Sequence, residues 1–141
     1  MLRTLKRTSS VAIICAVTLC TQPAIAQSEK NEHVLDGTTI DWSYDANGAR
    51  MVLSFEDGMA QYEWVAGRRA GNSAKDIPYR SREMSDGLFV LSWDQSARPD
   101  FITLIFDLNR NIMSSTGLIG YGTDNQRNLF QAGTVHSAKR Q

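Results

Sequence analysis

The sequence predicts an all-β domain, an antiparallel up-and-down barrel of about eight strands, on three observations. Short runs rich in β-branched and aromatic residues recur at regular intervals, each bounded by Gly, Pro, Asn or Asp. No stretch outside the first residues carries a convincing helical apolar period. The connections between runs are short and polar, with no crossover long enough to carry one strand past its neighbour. An open sandwich of the same strands is the alternative. The lack of crossovers and the removal of exposed edges by closure both favour the barrel.

The chain opens with Arg3, Lys6 and Arg7, then the uncharged apolar run Val11 to Leu19, then Ala24-Ile25-Ala26. This is the pattern of a cleaved export signal, with cleavage near Ala26/Gln27 and a periplasmic or secreted product. The run is too short for a permanent bilayer span. A lipoprotein signal at Cys20 is disfavoured because the preceding Leu19 is large. Cys15 and Cys20 both lie in the leader, so residues 27–141 contain no cysteine and must cohere by packing. Removing the three basic leader residues leaves twelve basic against fifteen acidic, a net charge of −3 on 115 residues. That balance offers no footprint for nucleic acid and no anchor for a membrane.

Residues 27–37 read as a polar, mobile arm before a single domain at 38–138, with 139–141 as a tail. Thr38 to Tyr44 alternates as a first strand, and Asp45-Ala46-Asn47-Gly48 turns it, Asn-Gly supplying left-handed backbone angles. Arg50 to Phe55 follows, then a turn at Glu56-Asp57-Gly58 and a third strand from Met59 to Ala66. Gly67 to Asn72 reads as a flexible loop, and Ile77 to Met84 as a fourth strand in which Pro78 marks an edge or a start. Leu88 to Trp93 and Phe101 to Leu108 form a hairpin, the second run apolar on both faces as if covered on both sides. Ile112 to Gly120 and Arg127 to Ser137 complete the set.

Four motifs occur in order: Trp42-x-Tyr44-Asp45-x-Asn47-Gly48, Tyr62-Glu63-Trp64-x-x-Gly67, Asp86-Gly87-x-Phe89-x-x-Ser92-Trp93 and Ile102-Thr103-Leu104-x-Phe106-Asp107. In combination they resemble the MoaF-like family of small calycin, or lipocalin-like, barrels, and more distantly the phenolic acid decarboxylases. The decarboxylase resemblance implies a tyrosine pair, an arginine and a glutamate. These fall on Trp42 and Tyr44, on Glu63 and on Asp86. Only Tyr44 is kept, and a carboxylate cannot replace an arginine fork that grips a substrate carboxylate. The barrel is therefore expected without that reaction. The molybdenum-cofactor role implied by the MoaF-like name fits poorly with export and is not adopted.

Trp42, Tyr44, Tyr62, Trp64, Tyr79 and Trp93 form the expected lining of a ligand pocket, with core filling as the plainer reading of each ring. Neighbouring residues of a strand face opposite sides, so Glu63 cannot point inward together with Tyr62 and Trp64. Burial favours the aromatics. An inward Glu63 would need Arg80 or Arg82 as partner, and Arg82 is carried as a pocket candidate. Arg68 and Arg69 read as an anion site at the mouth or as a solvated basic loop. Met51, Met59, Met84 and Met113 read as core filler. His33 and His136 lack zinc-ligand spacing, no cofactor is implied, and no nucleophile elbow or phosphate loop is present.

Three functions follow from these residues. The first is a non-catalytic binding module for a small, partly apolar molecule. The second is an enzyme on a small aromatic or carboxylated substrate, with Tyr44, Glu63 and Asp86 as acid–base candidates. The third is a structural barrel filled by its own side chains, its outer face pairing with a second copy as a homodimer.

Overall fold

The computed structural model describes residues 32–95 and 98–141. The expected leader and residues 27–31 of the expected arm lie outside them. The described residues form nine strands and no helix: β1 Thr38–Tyr44, β2 Arg50–Glu56, β3 Met59–Ala66, β4 Ser73–Pro78, β5 Arg80–Ser85, β6 Leu88–Gln95, β7 Asp100–Asp107, β8 Ile112–Ile119 and β9 Arg127–Arg140. All pair antiparallel in one sheet of order β4-β3-β2-β1-β9-β8-β7-β6-β5, curled into a half-barrel.

Local chemistry sets the hairpins. Asp57 and Gly58 take φ of 50° and 73°, the two left-handed residues of a type I′ turn whose twist matches the flanking strands. The first hairpin differs from the expected tight Asn-Gly turn. Only Gly48 is left-handed there, and the Tyr44 N–H donates to the Ala49 carbonyl across a four-residue loop.

The expected fourth strand, Ile77 to Met84, is two strands. Pro78 has no N–H to give a ladder, and Asp76 takes φ of 56° where Ala60 pairs with Ile77 but Tyr62 pairs with Ala74. That bulge bends the strand. Residues before Tyr79 pair with β3, and residues after it pair with β6. The two sheet edges, β4 and β5, are thus separated by one residue. They run in the same direction, each opposite to the neighbour it pairs with.

Two ends follow from the meander. The β1–β2, β3–β4, β6–β7 and β8–β9 connections lie at one end. The β2–β3, β5–β6 and β7–β8 turns lie at the other. The second end is sealed. Leu35 packs there with Phe55 and Tyr79, both rings at 4.6 Å centroid separation, and the His33 ring meets Tyr79 edge-on. The Tyr79 hydroxyl donates to Asp36 Oδ1 at 2.6 Å, and the Gly58 N–H donates to the same carboxylate. Residues 32–37 are therefore a packed plug and not a mobile arm, because Leu35 and Asp36 satisfy apolar and polar groups that the strand ends leave open. Nor are 139–141 a tail: Thr38 pairs with Arg140, and the Gln141 N–H donates to the Gly37 carbonyl.

The core lies between this plug and the middle of the sheet, with Ile40, Leu53, Leu91, Leu104, Phe106 and Met113 fully buried. Each such side chain contributes about 2 kcal/mol of apolar burial. The expectation that Phe101 to Leu108 is covered on both faces is not met. Leu104 and Phe106 are buried, but Phe101 and Ile105 stand on an uncovered outer face near Ile112 and Phe130. Met51 and Met113 are core filler as expected, whereas Met59 and Met84 are exposed.

Candidate functional site

Above the core, toward the end with the four longer connections, the inward-facing residues leave a cavity of about 790 Å³. Its inner wall is Trp42, Met51, Trp93, Ile102 and Leu104, and its sides include Tyr44, Tyr62, Trp64, Leu129 and Gln131. Strand alternation places these side chains. On β1, Ile40, Trp42 and Tyr44 face in while Asp41 and Ser43 face out, and on β3 Tyr62 and Trp64 face in while Glu63 is exposed. The size and apolar lining are those of an ordinary small-molecule site.

The aromatics form a graded stack from core to mouth. Phe106 meets Trp42 edge-on at 5.3 Å, Trp42 meets Tyr44 at 6.4 Å, and Tyr44 stacks on Trp64 at 5.9 Å with planes 23° apart. The Arg69 guanidinium then lies 5.5 Å from the Trp64 ring centroid, a cation–π contact. Burial pushes the Tyr44 hydroxyl pKa up, opposed by smaller effects of Ser115, the Arg69 charge and Trp42. Tyr44 is therefore a neutral hydrogen-bonding tip at neutral pH and a poor base. The indole N–H groups of Trp42 and Trp93 and the Ser115 hydroxyl are buried without a well-placed hydrogen-bond partner in the chain.

The rim is basic. Arg68 and Arg69 from the β3–β4 loop, Arg98 from the β6–β7 loop and Arg127 from the start of β9 line the opening, against a single carboxylate, Asp100. The β3–β4 loop is held in place rather than loose. The Trp64 N–H donates to the Asn72 carbonyl, the Gly71 N–H to Trp64 and the Ala70 N–H to Gly67. Gly67 takes φ of 90°, and a Cβ there would fall 2.8 Å from Ala49 Cβ, so two rim loops touch at a glycine.

Of the expected pocket residues, Trp42, Tyr44, Tyr62, Trp64 and Trp93 come together at this cavity. Tyr79 does not. It is buried in the sealed end, where its body fills core and its hydroxyl serves Asp36. Arg82 is exposed on the outer face of β5, because the alternation that buries Ser81 turns its neighbours out. Glu63 points outward by the same rule and does not pair with Arg80, which instead meets Glu32 at 3.4 Å. Asp86 lies in the β5–β6 turn at the sealed end, its carbonyl accepting from Asn109 Nδ2. Of the three acid–base candidates only Tyr44 reaches the cavity. Arg98 and Arg127 were not singled out in the sequence, since the rim is assembled from four connections far apart in the chain. The described residues contain no group of three or more metal-ligating side chains.

No family model matches the chain, and no curated protein matches it. Among solved structures, a Burkholderia vietnamiensis protein provisionally named a beta-lactamase aligns with a TM-score of 0.60. The alignment covers 73% of this chain and 94% of that one, at 13% sequence identity. At that identity the likeness concerns fold alone, an antiparallel all-β sheet.

Proposed function

We propose that this chain is an exported lipocalin-like barrel of the MoaF-like type, which binds a small, partly apolar molecule and does not transform it. The observation that carries the reading is the open cavity of about 790 Å³ walled by five aromatic side chains from three strands. Read as one bent strand, β4 and β5 join both edges of the sheet, and the count becomes eight strands in up-and-down order. A barrel of that size holds one small ligand. Export follows from the leader pattern at residues 1–26.

The enzyme reading is weaker because Glu63 and Asp86 lie outside the cavity and Tyr44 is held neutral. A barrel filled by its own side chains leaves the cavity unexplained.

A thermal-shift screen over phenolic acids, fatty acids and short amphiphiles tests the reading, since a ligand that binds only the folded state raises Tm by mass action. At least one class is expected to raise Tm, and native mass spectrometry of protein from its own host is expected to show a co-purifying mass. A flat response in both measurements defeats it.

A further inference from the structure

We infer that the ligand is an anionic amphiphile, its acidic head held among Arg69, Arg98 and Arg127 at the rim and its apolar body lying between Trp64, Tyr44 and Trp93. The inference rests on the binding function proposed above and adds the chemistry of the ligand.

Charge is segregated at this opening. Four of the twelve basic residues of 27–141 line it, but only one of the fifteen acidic residues does. That one, Asp100, is engaged: its Oδ1 accepts the Gly120 N–H at 2.8 Å. Asp45, Asp94 and Asp124 belong to the same end without lining the cavity, and Asp45 accepts from Thr134. The ion pairs among the described residues are Arg50–Asp41, Arg80–Glu32 and Arg110–Asp107, none of them at the rim. Residues 27–141 carry twelve basic against fifteen acidic side chains, yet four arginines gather at this rim with no ion pair among the described residues, and an anion there relieves their mutual repulsion.

The arginines also stand on tied supports. Arg69 is braced on Trp64, which leaves the edge of its guanidinium plane to fork onto an acid. Arg98 sits in a turn where its N–H donates to Gln95, and the next residue, Pro99, accepts the Tyr121 N–H at 2.7 Å, linking the two rim connections. Below them the cavity wall turns apolar and aromatic within one side chain. A ligand that satisfies both layers has an acid at one end and an apolar body at the other.

The test uses matched pairs with one body and two heads: 1-naphthoic acid against 1-naphthamide, and decanoic acid against decanamide. Binding is read by titration calorimetry at low and high salt. Each acid is expected to bind about tenfold or more tighter than its amide, with the advantage shrinking in high salt. The double variant Arg69→Gln/Arg98→Gln is expected to lose the preference while keeping its Tm near that of the parent. Arg82→Gln, on the outer face, is expected to keep it. Equal affinity of acid and amide, or a preference that survives the double variant, overturns the inference and leaves the binding function standing. No binding by any of the four compounds overturns the inference, and only a flat thermal-shift screen with no co-purifying mass overturns the binding function with it.

Discussion

Tyr44 and Trp64 stack at 5.9 Å across the cavity wall although they sit on strands that do not pair. Strand β2 lies between them, contributing the smaller Met51, whose partners in the ladders are Trp42 and Trp64. The large rings therefore close over a small residue, and the pocket wall is continuous because volumes alternate around the curve.

The contact of Gly67 with Ala49 separates two costs of a side chain. Gly67→Ala adds a Cβ 2.8 Å from Ala49 Cβ at a left-handed position, whereas Gly71→Ala, at φ of 85°, meets open space. The second change is expected to cost about 1 kcal/mol for backbone strain alone, and the first about 2–4 kcal/mol with the clash added. Urea midpoints for the two variants measure the difference, and equal losses would show that the loops part without resistance.

Tyr79→Phe removes the donor to Asp36 at the sealed end while keeping the ring between His33 and Phe55. A loss of about 1–2 kcal/mol is expected, with ligand affinity unchanged because the residue lies outside the cavity. Burial, followed by the neighbouring Asp36 carboxylate, raises the Tyr79 pKa above its ordinary 10.0, so the stability this group contributes is complete below that value and is lost as pH rises beyond it. A parallel drop in affinity would tie the plug to the pocket.

Asp41 and Arg50 join β1 to β2 through two hydrogen bonds, 2.7 Å and 2.5 Å long. The hydrogen bonds from Arg50 hold the Asp41 carboxyl below its ordinary 3.8. A depressed folded pKa contributes stability that is complete above the unfolded value and is lost as pH falls through the folded one. Asp41→Asn is therefore expected to lower the urea midpoint at neutral pH, with the gap from the parent narrowing below about pH 4. A gap that stays constant with pH would assign the loss to shape rather than charge.

Glu63→Gln and Asp86→Asn replace the two carboxylates that a catalytic reading would require. Both groups lie outside the cavity, so ligand affinity is expected to stay within about twofold and stability within about 0.5 kcal/mol. Loss of a detected turnover in either variant would return catalysis to consideration.

Much of the fold was legible because β periodicity is local. Alternation in Thr38–Tyr44 and Met59–Ala66 placed Trp42, Tyr44, Tyr62 and Trp64 on one face, and the structure keeps them there. The motif resemblance misled at Glu63 and Asp86, because aligned positions carry no information about which face or which end a residue occupies. The bend at Tyr79 was hidden because a bulge at Asp76 and an edge change leave little trace in hydropathy. Tyr79 itself looked like a pocket aromatic, since a ring at the sealed end and one at the mouth share the same composition. The rim was legible only in part. Arg68 and Arg69 read as an anion site at the mouth or as a solvated loop, but Arg98 and Arg127 lie far from them in sequence, and only counting strands would have put all these connections at one end.

The single residue between β4 and β5 has a kinetic meaning as well. Every strand from β3 round to β6 is flanked on both sides by a ladder, whereas β4 and β5 each have one. Their free-side amides are expected to exchange with solvent hydrogen first, and those of β1, β8 and β9 last. The wall beside Tyr62 is then the place where this half-barrel breathes, its two edges linked there by covalent chain and not by a zipper of hydrogen bonds.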